Sequence, residues 1–322
     1  MQNQQRRVTI MGSKVATRKR PTVSPEERAA KVDALKNKLN SAVESLASSE
    51  EWGAYLRFTA GLGTRYSFGN TVLLWAQAQE RGMTLSAVAS YGSWAKRGRS
   101  VLKRPEGHKG PWGLQVFAPL PRRLSEAEAE DFARQGKRAY GPDDKPIKVM
   151  RGFKIEHVFD LSQTEGEELP VNPAVPSLLT GEDVTNTLDA FERLIKGHGY
   201  SFERGDCGGA NGTTSPETKT VRVRADVDNM QASKTALHEL AHIRADHVAD
   251  LDEYRLHRGR MEAEAESVAY VVLGALGADT SSYSVPYVAG WSGGNVETLR
   301  AIAELVTKVS HGVLADLESA AE

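Results

Sequence analysis

Apolar residues recur along this chain with two different periods, and the changes of period mark out its elements. Val32, Leu35, Leu39, Val43 and Leu46 fall on one side of a helix. Ser24-Pro25-Glu26-Glu27 supplies its start, with Ser24 as N-cap, Pro25 at the first position and Glu27 at the third. Further helices are predicted over residues 51–61 and 67–79, then strands near 87–91, 100–102 and 113–118. A short helix over 126–135 and a strand-rich segment over 151–161 follow. Gly181-Glu182-Asp183 opens a helix to about Gly197. Glycines then punctuate residues 200–225, and Thr220-Val221-Arg222-Val223-Arg224 alternates as a strand should. The apolar run around Thr235–Ile243, the run from Arg260 to Leu273 and the stretch from Asn295 to Leu317 read as helices.

This mixture predicts an α+β protein with two domains, and 322 residues are enough for both. Residues 1–24 carry Arg6, Arg7, Lys14, Arg18, Lys19 and Arg20 and no acid, the composition of a disordered tail. An α+β unit is expected over 25–124. Residues 125–176 read as an insertion and linker, with a Gly-Pro-Asp-Asp turn at 141–144 and a proline-rich piece at 169–176. A mainly helical unit with a small sheet is expected over 177–322. The 40% hydrophobic and 26% charged fractions are those of a globular protein. A single cysteine, Cys207, excludes an internal disulfide and a cysteine-rich zinc finger, and suits a reducing compartment. No apolar run is long enough for a membrane span or signal peptide, so a cytoplasmic location without membrane contact is expected.

The sharpest chemistry is His238-Glu239-Leu240-Ala241-His242 inside an apolar helix. Positions four apart lie one above the other on the same face, so His238 and His242 can offer two imidazoles to one metal ion. Glu239 stands beside them as a base for an attacking water. Small or apolar neighbours suit such a helix, although Arg244 departs from that choice. A catalytic zinc needs a third protein ligand and an open position. The following helix carries Glu262 and Glu266 on one face, while Glu264 points away. Glu262 is the expected ligand and Glu266 a second-shell residue or alternative ligand, the gluzincin layout. One Zn2+ per chain is expected, with Mn2+ the alternative. The strand at Val221–Arg224 is a candidate edge for receiving an extended peptide, or else an internal strand.

A second cluster is basic. Lys96, Arg97, Arg99, Lys103, Arg104 and Lys109 crowd together with only Glu106 opposing them, interleaved with Tyr91, Trp94, Trp112 and Phe117. Cations that track phosphates, beside rings that stack on bases, suit single-stranded nucleic acid. Tyr66, Ser67 and Asn70 either join that surface or fix a helix start.

Two family resemblances attach to these motifs. Residues from about Val223 to Leu276, with Thr235-Ala236-Leu237-His238-Glu239-Leu240-Ala241-His242 and then Glu262 to Ala269, resemble the ImmA/IrrE group of metallopeptidases. Glu266 stands where that group often has Asn or Asp. More of the chain, from about residue 50 to the end, resembles the ArdC-type antirestriction proteins. That likeness rests on Tyr66-Ser67-Phe68-Gly69-Asn70, on Trp94 ahead of Gly98-Arg99-Ser100-Val101, on Val116-Phe117-Ala118-Pro119, and on Val158-Phe159-Asp160 continuing to Gln163-Thr164-Glu165-Gly166. It implies an N-terminal domain that binds single-stranded DNA through residues such as Tyr66, Asn70, Trp94, Lys96, Arg97, Arg99, Lys103 and Arg104. It also implies a C-terminal zinc-peptidase-like domain, with an unidentified protein substrate. The implied role is protection of incoming plasmid or phage DNA from restriction. The alternatives are a peptidase that cleaves a transcriptional repressor, and a non-catalytic DNA-coating protein with a structural metal site.

Overall fold

The computed structural model describes residues 24–63, 66–168, 184–278 and 295–320. The basic tail up to Val23, the proline-rich piece at 169–176, the helix start at 181–183 and the stretch containing Tyr283 and Tyr287 lie outside the described residues. The architecture is mixed α and β, as expected, and no described helix is long and apolar enough to cross a membrane.

The chain opens with α1 (Pro25–Ser45), α2 (Ser49–Leu62) and α3 (Phe68–Arg81). Ser24 caps α1 in the reciprocal way its sequence announces. Its side chain accepts from the Glu27 amide at 3.1 Å, and the Glu27 carboxylate accepts from the Ser24 amide at 3.2 Å. An antiparallel sheet in the order β1-β4-β3 follows, from β1 (Val88–Ser90), β3 (Leu114–Arg123) and β4 (Lys148–Asp160). Between its strands lie α4 (Tyr91–Ala95), β2 (Arg99–Val101) and α5 (Glu126–Arg134). β2 also pairs antiparallel with the distant β5 (Thr164–Gly166) as a separate two-stranded sheet. Residues 148–166 therefore do not link two units, as the reading of 125–176 had it. β4 is the middle strand of the first sheet, because it pairs with β1 on one side and β3 on the other.

The second half contains α6 (Val184–Gly197), β6 (Ser201–Gly205), β7 (Gly212–Ser215), β8 (Thr220–Arg224), α7 (Asn229–Arg244), α8 (Leu251–Ala275) and α9 (Val296–Ser319). β8 runs parallel to β6 and antiparallel to β7, so it is the central strand of the order β6-β8-β7. Val221–Arg224 is thus the internal strand of the two alternatives: both its sides are hydrogen-bonded, and β6 and β7 hold the edges. α8 breaks its helical geometry at His257, with φ −115° and ψ 19°, which divides it into a short first piece and a long second one.

One buried core joins the two halves. Val43 and Leu46 of α1, Trp52, Tyr55 and Leu56 of α2, and Val72 and Trp75 of α3 belong to the same apolar cluster as Phe191, Leu237, Val268 and Val306. The Tyr55 hydroxyl meets the Thr307 hydroxyl of α9 at 2.9 Å in this core. The first three helices, expected to start a separate N-terminal unit, are thus covered by α8 and α9. A smaller cluster of Leu74, Ala78, Leu85, Leu114, Val116 and Val158 seals α3 against the first sheet.

Candidate functional site

α7 is capped at its start by Asp228, whose side chain accepts from the Gln231 amide at 2.8 Å. Leu237, Leu240 and Ala241 bury one side of α7 in the main core, and the opposite side carries the polar string toward α8 and β7. The Nε2 atoms of His238 and His242 lie 3.1 Å apart. Glu262 Oε2 is 3.2 Å from His238 Nε2 and 3.8 Å from His242 Nε2. A tetrahedral ion with bonds of about 2.0–2.1 Å to nitrogen and oxygen holds its ligand atoms about 3.3 Å apart. The observed spacings bracket that value. His238, His242 and Glu262 are also the group of metal-type donors that converges among the described residues. Two imidazoles and one carboxylate form a donor set that Zn2+ and Mn2+ both accept.

The surroundings favour a bound cation. Glu266 Oε2 faces His238 Nδ1 at 3.4 Å, and Lys234 Nζ sits on the other Glu266 oxygen at 2.8 Å. Burial opposes a proton on His238, but Glu262 and Glu266 outweigh it and hold this imidazole up at about 9. Burial pushes His242 down. The contacts from His238 and His242 hold the Glu262 carboxyl well below the usual range. Tyr254, on the first piece of α8, donates its hydroxyl to Glu262 Oε1. Burial, followed by that carboxylate, pushes its phenol up, so it stays a donor.

Glu239 is buried and is gripped from β7. Thr214 Oγ1 donates to Glu239 Oε2 at 2.6 Å. Gly212 brings the backbone of β7 so close that an added Cβ would stand 2.5 Å from Thr235 Cγ2 and 2.8 Å from Glu239 Oε1. Only glycine fits there. These residues line a cavity of about 520 Å³, walled by residues 210–214 on one side and Val248, Leu251, Tyr254 and Arg258 on the other.

Sequence reasoning missed Thr214, Tyr254 and His247. His247 lies beyond the end of α7, and its Nδ1 is 3.0 Å from His242 Nδ1. Its Nε2 is 2.9 Å from Glu264 Oε2. Glu264 does point away from the ligand face, yet it reaches the site through His247. Arg244, the odd residue of the motif helix, pairs with Asp316 and so ties α7 to α9.

The expected nucleic-acid residues separate into two groups. Trp94 is 0% exposed and its Nε1 donates to the Phe159 carbonyl, so it cannot stack on a base. Asn70 turns its amide to the edge strand: Nδ2 donates to the Phe117 carbonyl at 2.9 Å and Oδ1 accepts from the Phe117 amide at 2.8 Å. Arg99 is spent on Thr164, donating from Nε to the hydroxyl at 2.9 Å and from a terminal nitrogen to the carbonyl at 3.2 Å. Tyr66 donates to the Val88 carbonyl and packs on the smaller cluster. Those four build the fold. Lys96, Lys103 and Arg104 are exposed, and Arg97 lies with its guanidinium 5.5 Å from the Trp94 ring centre. An unforeseen surface lies on β3 and β4. Phe117 and Phe153 meet edge to face at 6.0 Å, and Phe153, Met150 and Leu120 are 54%, 59% and 48% exposed. Lys148, Arg151 and Lys154 are exposed on the same strand as Phe153. An aromatic as far exposed as Phe153 breaks the usual burial pattern, a signal the sequence alone does not carry.

Residues 30–155 match the family model of the N-terminal domain of anti-restriction factor ArdC. Those residues are thus similar to that N-terminal domain. Nothing among curated proteins matches it. Among solved structures, it is similar to the metal-free antirestriction ArdC protein of plasmid R388, at 19% identity over 88% of this chain and 98% of that one, with a TM-score of 0.49. The Mn(II)-bound form of the same R388 protein gives 18% identity over 87% and 98%, with a TM-score of 0.48.

Proposed function

We propose that this chain, whose N-terminal domain is of the anti-restriction ArdC type, couples a divalent-metal peptidase site to a surface for single-stranded DNA. The observation that carries the peptidase half is the convergence of His238, His242 and Glu262 in an open cavity with Glu239 on its wall. A purely structural metal site needs neither that cavity nor a buried carboxylate beside it.

His238, His242 and Glu262 would hold the ion. When bound, a zinc or manganese ion supplies Lewis-acid polarisation of a carbonyl and lowers the pKa of water. The chain's own residues supply the rest. Glu239 accepts a proton from the attacking water at its carboxylate and returns it to the leaving amine nitrogen. Thr214 orients that carboxylate, and β7 offers its outer edge beside it for an extended peptide. Glu266 with Lys234 fixes the His238 ring. Tyr254 stands as a protonated donor at the far wall.

For the nucleic-acid half, Phe117 and Phe153 offer faces to unpaired bases, and Lys96, Lys103, Arg104 and Lys148 follow the backbone charge. Antirestriction through this coupling is protection of entering single strands. The test measures metal content and single-stranded DNA binding at two salt concentrations, on wild type and His238→Ala. It also scores cleavage of co-expressed restriction proteins by mass spectrometry. One metal per chain, lost in the variant while salt-sensitive DNA binding survives, supports both halves. A wild type that binds neither zinc nor manganese ends the peptidase reading, and one that ignores DNA at low salt ends the other.

A further inference from the structure

α7 ends in a way that returns the chain over its own last metal-type residue. Asp246 takes the left-handed conformation, with φ +63°. The Asp246 amide donates to the Ile243 carbonyl at 3.2 Å and the His247 amide to the His242 carbonyl at 3.0 Å. This is the paired Schellman arrangement, in which the residue after the left-handed one commonly makes an apolar contact with the residue five before it. Here the two residues in those positions are His247 and His242, and their contact is polar. The rings meet at 5.1 Å between centres and 66° between planes, with Nδ1 facing Nδ1 at 3.0 Å. Behind His247, Glu264 accepts at 2.9 Å, and Arg260 Nε lies 3.6 Å from the other Glu264 oxygen. His242, His247 and Glu264 are all buried, at 4%, 4% and 5% exposure.

A single hydrogen fits between two ring nitrogens at that distance. A carboxylate at Glu264 accepts and does not donate, so a neutral His247 carries its one hydrogen on Nε2. Its Nδ1 is then a bare acceptor, which requires His242 to carry its hydrogen on Nδ1. The consequence falls at the far side of the His242 ring: Nε2 is left bare and faces His238 and Glu262. A ligating histidine needs that tautomer, and its other nitrogen needs an acceptor to hold it. Such an acceptor is most often a carboxylate, a backbone carbonyl or water. Here a second histidine stands between ligand and carboxylate.

We propose that His247 and Glu264 are positioning residues that lock His242 with Nε2 bare, so that the metal site is set before any ion arrives. The metal consequence rests on the peptidase reading above, whereas the hydrogen order does not. The experiment therefore has two readouts. Ring-nitrogen NMR on metal-free wild type should show His242 protonated at Nδ1 and His247 at Nε2. Chelator competition should show zinc and manganese bound about 10- to 100-fold more weakly by His247→Leu. His247→Gln, whose amide oxygen can accept from His242 Nδ1, should recover most of that loss. Folded His247→Leu protein with wild-type metal affinity overturns the proposal. So does a wild-type spectrum with the His242 hydrogen on Nε2. If wild type binds neither ion, the peptidase reading fails and the spectrum alone decides the relay. If His247→Leu does not fold, the wild-type spectrum again decides.

Discussion

The helix pair α7–α8 and the first sheet both carry conspicuous polar residues, yet those residues do opposite things. In the pair, His238, His242, Glu262 and Glu239 turn toward one cavity. Around the sheet, Asn70 of α3, Trp94 of α4, Arg99 of β2 and Asp160 of β4 turn toward backbone groups. Asp160 shows it best: it is fully buried and accepts from the amides of Ser86, Ala87 and Ser162. Gln163, three residues on, accepts from the Asp160 amide at 3.0 Å and donates to the Trp112 carbonyl at 2.8 Å. A polar signature therefore points to chemistry only where its groups are left for a ligand. Where each donor already has a backbone partner, the same kind of signature is architecture.

The largest test of that contrast is Glu239→Gln. Turnover in any system where wild type cleaves should fall about 10²- to 10⁴-fold, while zinc content measured by mass spectrometry stays at the wild-type value. Undiminished cleavage would move Glu239 into the architectural class. Next comes the sheet. Trp94→Ala should cost about 3–5 kcal/mol of stability, and Asn70→Ala about 1–3 kcal/mol, because it strands the Phe117 amide and carbonyl. Denaturant titration measures both. DNA binding by the fraction still folded should match wild type, and a folded variant that has lost DNA would return these residues to the interface. Phe153→Ala should do the reverse, with unchanged stability and a loss of about 1–3 kcal/mol in single-strand affinity, read by fluorescence anisotropy. The smallest effect is silent at neutral pH. Burial holds His311 of α9 down at about 4, and its Nε2 makes no hydrogen bond. The unfolded chain takes up this proton near 6.5, so stability should be lost as pH falls from about 6.5 toward 4. His311→Leu should flatten that part of a thermal-melting profile and leave pH 7 unchanged.

The candidate metal donors were largely legible because helical spacing is local. Residues four apart must share a face, which pairs His238 with His242, whereas the choice of Glu262 over Glu266 needed the packing of α8 against α7. The parts that were not legible depend on chain reversals. β7 is Gly-Thr-Thr-Ser, with no apolar side chain to reveal a strand, yet it delivers Thr214 to Glu239. His247 reaches His242 only because Asp246 adopts a conformation that most non-glycine residues avoid. Alternation in Thr220–Arg224 identified a strand but not its neighbours, which is why edge and internal strand stayed open there until the pairing of β8 with β6 and β7 decided for the internal place. The helix α3 illustrates the same limit. Asn70 and Gln77 lie two turns apart, and they meet the backbone of Phe117 and Gln115, two residues apart on β3. Their amides close part of the outer edge of a sheet that would otherwise invite another strand, and Pro119 and Pro121 lack amides further along it.

The shared core has a consequence in time. Tyr55 and Thr307 are 252 positions apart. A ribosome adding about 5–20 residues per second makes α1 to α3 roughly ten to fifty seconds before α9 is available to cover them. Trp52, Leu56 and Val72 have only one another's helices to pack on until α8 and then α9 arrive, and loop closure over such a span is slow. A translation stall before α9 would thus leave the apolar faces of the first three helices uncovered on the ribosome.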